Sequence, residues 1–254
     1  MIKQQNKVKI FAFPFAGGSK YSYRVLHDYV PADFEWETIE LPGRGSRMNE
    51  PLLSDLKETA EDVFQQIRAK INEGGEYIIY GHSMGALLGY ELMKKIMEKG
   101  LNRPLCLFLT GRGAPSVGKE KKISDYSREA FWKEIHDLGG LPKEILENEE
   151  MKDFFEPFLR CDFKAVENYQ YEGMEKPFPV PLFIRTGSDE MIYGKDVMKW
   201  QEETEYPIDL KVMPGDHFFI FQHPEYIIMQ IVDACKKARA KQVNAMETGI
   251  ARAV

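Results

Sequence analysis

Gly81-His82-Ser83-Met84-Gly85 lies between two segments of opposite character, and that change constrains the fold of this 254-residue chain more than any other feature. On its amino side, Tyr77-Ile78-Ile79-Tyr80 is a short β-branched and aromatic run that reads as a buried strand. On its carboxyl side, Leu87, Leu88, Leu92 and Met93 recur at helical spacing. A strand that gives way to a helix so abruptly has to turn sharply. Side chains two residues either side of the apex would collide with the neighbouring strand or helix, so glycine suits both places. Ser83 is then left on a strained turn, with its hydroxyl raised above the sheet.

The rest of the chain repeats this alternation. Short apolar runs at Val8–Phe13, Thr38–Leu41, Leu105–Thr110, Leu182–Arg185 and Asp209–Met213 read as further strands. Leu56, Ala60, Val63, Phe64, Ile67 and Ile71 form a helical stripe with Ser54 as its expected N-cap. A last helix opens at Pro224 and carries Ile227, Ile228, Ile231, Val232 and Cys235. Strands alternating with helices predict βαβ units, hence an α/β domain over residues 1–254 with a mostly parallel central sheet and helices on both faces. Residues 117–174 contain no convincing strand but do contain aromatic helical segments, and we expect a helical lid insertion there. The small and polar residues 242–254 are expected to form a disordered tail.

Charge and cysteine usage remove several function classes. Lys and Arg total 34 against 40 Asp and Glu, a net charge of −6 that disfavours a nucleic-acid binder. No apolar run approaches the ~20 residues that span a bilayer, and the amino terminus lacks a signal-peptide core, so a cytoplasmic protein away from membranes is expected. Cys106, Cys161 and Cys235 are scattered and odd in number, without metal-ligand spacing, which suits incidental thiols in a reducing compartment. No metal or organic cofactor is expected.

The G-x-S-x-G turn makes Ser83 a candidate nucleophile, and a serine hydroxyl needs a base. In the α/β-hydrolase fold the chain order is Ser, acid, His, so the base lies among His136, His217 and His223. His136 falls in the expected lid and His223 leads into the last helix. His217, in Pro214-Gly215-Asp216-His217 directly after the last strand, is the expected base. The carboxylate that orients it is expected to be Asp189, in the turn Thr186-Gly187-Ser188-Asp189-Glu190, with Glu190 the close competitor and Asp216 too near His217 to face it. Acyl transfer also needs oxyanion donors. The backbone N–H of Met84 and that of Ala16, in the loop Phe13-Pro14-Phe15-Ala16-Gly17-Gly18, are the candidates.

With these motifs in place, the chain resembles the type II, stand-alone thioesterases of nonribosomal peptide and polyketide synthesis. The resemblance runs from about Lys7 to Cys235. It rests on the motifs quoted above together with Leu41-Pro42-Gly43-Arg44-Gly45, Thr110-Gly111-Arg112-Gly113-Ala114-Pro115, Leu138-Gly139-Gly140-Leu141-Pro142, Leu159-Arg160-Cys161-Asp162-Phe163 and Gly215-Asp216-His217-Phe218-Phe219. Thr110 and Gly113 stand where relatives often carry Ser and Arg. The resemblance implies hydrolysis of acyl or aminoacyl thioesters on the phosphopantetheine arm of acyl or peptidyl carrier domains, clearing misprimed or stalled synthetases. It also places serine, acid and base on Ser83, Asp189 and His217. Integrated, chain-releasing thioesterases commonly carry their acid after the strand that ends at Thr110. Here that loop, Gly111–Pro115, holds no carboxylate, which favours the stand-alone type.

No segment reads as a carrier domain, so the carrier is expected to be a separate protein; for this chain a monomer is the default expectation. The alternatives are a carboxylesterase or acyltransferase on the same scaffold, or a binding module that has lost its chemistry.

Overall fold

In a computed structural model, which describes residues 7–118, 121–190 and 194–247, a six-stranded sheet has the order β2-β1-β3-β4-β5-β6. The strands are β1 (Val8–Phe13), β2 (Phe34–Thr38), β3 (Tyr77–His82), β4 (Leu107–Thr110), β5 (Leu182–Gly187) and β6 (Asp209–Met213). Every neighbouring pair is parallel. The helices are α1 (Arg24–His27), α2 (Leu56–Asn72), α3 (Met84–Glu98), α4 (Arg128–Leu138), α5 (Lys143–Leu146), α6 (Glu149–Glu167), α7 (Gly194–Met198), α8 (Phe219–Gln222) and α9 (Pro224–Glu247).

Alternate residues of the strands feed two separate cores, as a period of two requires. Phe11, Phe13, Ile79, Leu107, Leu109 and Ile184 pack with α2 and α3 on one face. Ile10, Ala12, Ile78, Tyr80, Phe108 and Phe183 pack with α1 and α9 on the other. The expected parallel sheet with helices on both faces is what the chain forms. From β1 the chain first runs outward to β2 and then crosses back to place β3 on β1's other side. The carboxyl ends of β1 and β3 therefore flank the point where the winding reverses, the place where open α/β sheets leave a crevice.

Several boundaries differ from the sequence expectation. The second strand is Phe34–Thr38, not Thr38–Leu41. As an edge strand paired only with β1, it alternates apolar and charged residues instead of forming a continuous apolar run. Ile39 and Leu41 are buried in the segment that leaves it. The N-cap of α2 is Asp55, whose carboxylate accepts from the Lys57 and Glu58 amides, rather than Ser54. The final helix continues to Glu247, so residues 242–247 are helical and not a loose tail: nothing between Gln242 and Glu247 breaks a helix. The remainder of the expected tail lies outside the described residues.

Between β4 and β5 the described residues hold α4, α5, α6 and a short 3₁₀ turn at Ile123–Asp125, with no strand. This insertion has a small core of its own, built on Phe131, Trp132, Ile135, Leu159 and Phe163. Among the described residues no helix is long and apolar enough to cross a membrane.

Candidate active site

Ser83 sits where β3 hands over to α3, with φ 55° and ψ −112°, the one non-glycine residue of positive φ among those described. Its amide donates to the Thr110 carbonyl of β4 at 2.9 Å, so the turn is tied to the neighbouring strand. The flanking glycines are there for space. A Cβ on Gly81 would lie 2.1 Å from the Gly85 carbonyl oxygen, and one on Gly85 would lie 2.1 Å from that of Phe13. Both obstacles are backbone, which cannot swing aside as a side chain can. We expect Gly85→Ala to destabilise the protein by about 3 kcal/mol or to prevent folding, the upper range for overpacking. Thermal melting of purified protein checks this, and a melting temperature equal to wild type would contradict the packing described.

Close passage of β1 across the start of α3 also brings the loop after β1, at Pro14, against Gly85, two residues past Ser83. In that loop Gly18 donates to the Phe15 carbonyl at 2.8 Å, closing a turn whose third residue, Gly17, has φ 79°. A positive φ in that place is the mark of a type II turn and favours glycine. Ala16 is the second residue of the turn and packs partly buried beside the core that contains Met84. Met84 opens α3 and carries one of the N–H groups a helix cannot pair internally. The two expected oxyanion amides thus lie on either side of the reversal in winding.

His217 follows β6, and its Nδ1 lies 3.2 Å from Glu190 Oε1. The Glu190 side chain is only 1% exposed, and its other oxygen accepts from the Thr186 hydroxyl at 2.9 Å. Asp189, the expected acid, does not face His217. It is exposed, its carboxylate accepts from the adjacent Ser188 hydroxyl at 2.8 Å, and its amide donates to Gly215 at 2.9 Å. In this turn consecutive side chains leave on different sides. The backbone that pins Asp189 to the β6 loop sends its carboxylate outward and lets the longer Glu190 fold in. Asp216 is spent locally, accepting from the Phe218 amide at 2.8 Å. His136 is an exposed residue of α4 and His223 contacts the Pro214 carbonyl at 3.1 Å, so neither joins this group.

His82 lies beneath His217, their ring centroids 4.8 Å apart, with Phe218 5.2 Å from His82. It is fully buried, and its Nδ1 meets the Thr110 hydroxyl at 2.9 Å. Gly111, at φ 63°, lets β4 pass below both rings: a Cβ there would come within 2.4 Å of His82 Cε1. Burial, and secondarily the proximity of His217, hold the His82 pKa well below that of free imidazole. The folded protein therefore keeps His82 neutral while the unfolded chain binds a proton below about pH 6.5. Stability is lost as pH falls through that value, approaching about 1.4 kcal/mol per pH unit for this one group. Urea unfolding at pH 7 and pH 5.5 should show a shallower acid loss for His82→Asn than for wild type. Equal losses would assign the proton to another group.

A model of the thioesterase domain family matches residues 8–235. The chain belongs to the thioesterase family. The gramicidin S biosynthesis protein GrsT of Aneurinibacillus migulanus is 33% identical to it over 237 residues, covering 92% of this chain and 90% of that protein. ClbQ, from the colibactin NRPS/PKS pathway, superposes with a TM-score of 0.86 at 25% identity, covering 92% of this chain and 99% of its own. YbtT, a type II thioesterase from the yersiniabactin NRPS/PKS biosynthetic pathway, gives a TM-score of 0.83 at 28% identity, with 93% and 96% covered. The expected α/β-hydrolase scaffold and thioester-hydrolase activity both stand.

The thioesterase also contains a buried ion pair that motif reading passed over. Arg44 Nη1 and Nη2 grip the Asp162 carboxylate at 2.5 and 2.7 Å. Burial would lower the Arg44 pKa, but the charge and hydrogen bonds of Asp162 outweigh it and the pKa is raised. Both residues lie in motifs that carry the family resemblance, and their pairing across 118 positions is what those motifs share.

Proposed function

We propose that this thioesterase hydrolyses acyl or aminoacyl groups held as thioesters on the phosphopantetheine arm of carrier domains in nonribosomal peptide or polyketide synthesis, clearing misprimed or stalled chains. The observation that carries the catalytic half is the strained Ser83 turn, whose adjacent His82 has its ring 4.8 Å from that of His217, itself paired with Glu190. The likeness to GrsT, ClbQ and YbtT supports the substrate class.

In this reading Glu190 orients the His217 ring and stabilises its positive charge, and His217 takes the Ser83 proton as the oxygen attacks the thioester carbonyl. The Ala16 and Met84 amides receive the oxyanion. As the tetrahedral adduct collapses, the pantetheine sulfur leaves and accepts the proton from His217. Water then enters and gives its proton to the same imidazole as it attacks the acyl carbonyl, and His217 returns that proton to the Ser83 oxygen as the bond to the acyl group breaks and the acid leaves. Serine, imidazole and carboxylate suffice for these steps, so the reading calls on no cofactor. The insertion from α4 to α6 acts as a lid over the acyl group, and the enzyme works as a cytoplasmic monomer meeting its carrier as a separate protein.

A panel of carrier domains loaded with acetyl, aminoacyl and longer acyl groups, set against matched oxygen esters, tests the assignment. Faster turnover of the carrier thioesters is expected. A strong preference for oxygen esters would replace this reading with that of a carboxylesterase.

A further inference from the structure

The loop after β1 is closed by its own Gly18–Phe15 bond and is also gripped from outside by side chains of two distant segments. Asp162 of α6 accepts from the Gly17 amide at 2.7 Å with the same Oδ2 that takes Arg44 Nη1. Arg44, from the loop after β2, also donates to the Gly18 carbonyl at 3.1 Å. Glu40 accepts from the Lys20 amide at 3.0 Å. The side chains of Arg44 and Asp162 are 5% and 4% exposed, so these contacts are shielded from water. Leu159, one turn before Asp162 on α6, lies directly over Gly17, where an added Cβ would come within 2.3 Å of its Cδ2.

Gly17 is the residue after Ala16, and its N–H belongs to the central peptide of the turn. The orientation of that peptide distinguishes a type II turn from a type I turn. The Ala16 N–H sits on the preceding peptide, so Asp162 acts on it by anchorage: with Gly17 N–H tied to Asp162 and the Gly18 carbonyl tied to Arg44, the two residues that follow Ala16 are fixed, and with them the place from which the Ala16 amide points. We infer that Asp162, itself held by Arg44, is a positioning residue for the oxyanion donor of Ala16, so that the donor is in place only while α6 rests on the loop. The insertion then does more than cover the acyl group: it completes the catalytic geometry when seated and releases it when lifted. This inference rests on the acyl-enzyme reading above.

Breaking one half of a buried ion pair can unfold a protein, so the test removes both charges together. Arg44→Met/Asp162→Asn keeps an acceptor for the Gly17 amide, whereas Arg44→Met/Asp162→Leu does not. Turnover of an acyl-carrier thioester is measured per active site titrated with a fluorophosphonate, which discounts misfolded protein. The asparagine pair should lose about fivefold in kcat and the leucine pair about 100-fold, at similar KM, approaching the effect of losing one oxyanion donor. The pH dependence of kcat should keep its midpoint, because His217 and Glu190 are untouched. Equal per-site kcat in the two pairs would overturn the inference. If neither pair folds, exchange of the Gly17 amide in wild type decides: slowing once a phosphonate occupies Ser83 supports the coupling, and unchanged exchange overturns it. Activity retained by Ser83→Ala would instead sink the acyl-enzyme reading, whatever these variants do.

Discussion

Ser83→Ala is expected to lower kcat on an acyl-carrier thioester by at least about 10,000-fold, leaving only what oxyanion donors and substrate binding contribute alone. The strained turn is set by the flanking glycines and by the Ser83 amide bond to Thr110, none of which the hydroxyl makes. The variant should therefore fold and melt like wild type, and KM for the carrier should change little. Steady-state hydrolysis and a thermal melt on the same preparation check both halves. Turnover near the wild-type rate would remove Ser83 from the mechanism.

Glu190→Gln should be nearly as damaging, with kcat down by about 1,000- to 10,000-fold, whereas Asp189→Asn should cost less than about threefold. The amide of glutamine can no longer stabilise an imidazolium, and it allows the ring to settle in the wrong tautomer. Asp189 is exposed and its carboxylate accepts from the Ser188 hydroxyl, so its charge, screened by solvent, has little hold on His217. Measured side by side, the two variants decide between neighbours in the chain. A large loss in Asp189→Asn with a small one in Glu190→Gln would return the acid to Asp189 and require the turn after β5 to rearrange in the working enzyme.

What the sequence disclosed and what it withheld divide along a physical line. The Ser83 turn, its two glycines and the sheet with helices on both faces were legible because each depends on local chemistry: strand and helix periods, and room for a backbone. That His217 would meet a carboxylate of the turn after β5 was legible because few histidines follow Ser83 in the chain. Which of its carboxylates would do so was not, since Asp189 and Glu190 differ only in which way a tight turn sends them, and contacts to the β6 loop decide that. The edge strand β2 was displaced because an edge does not require a continuous apolar run. Arg44 and Asp162 stood in recognisable motifs, yet nothing local announces a contact between residues so far apart in sequence.

The insertion between β4 and β5 buries Phe131, Trp132 and Phe163 among themselves rather than in the sheet's cores. A segment that satisfies its own apolar surface can exchange residues, lengthen or contract without disturbing the strands beneath, provided the Leu159–Gly17 and Asp162–Arg44 contacts survive. The chain is thereby divided into a sheet with its two cores and an insertion with a third, joined at a few fixed points. Grafting the insertion of a relative onto this sheet should alter which acyl chains are accepted, and the graft boundaries can be drawn at the ends of β4 and β5.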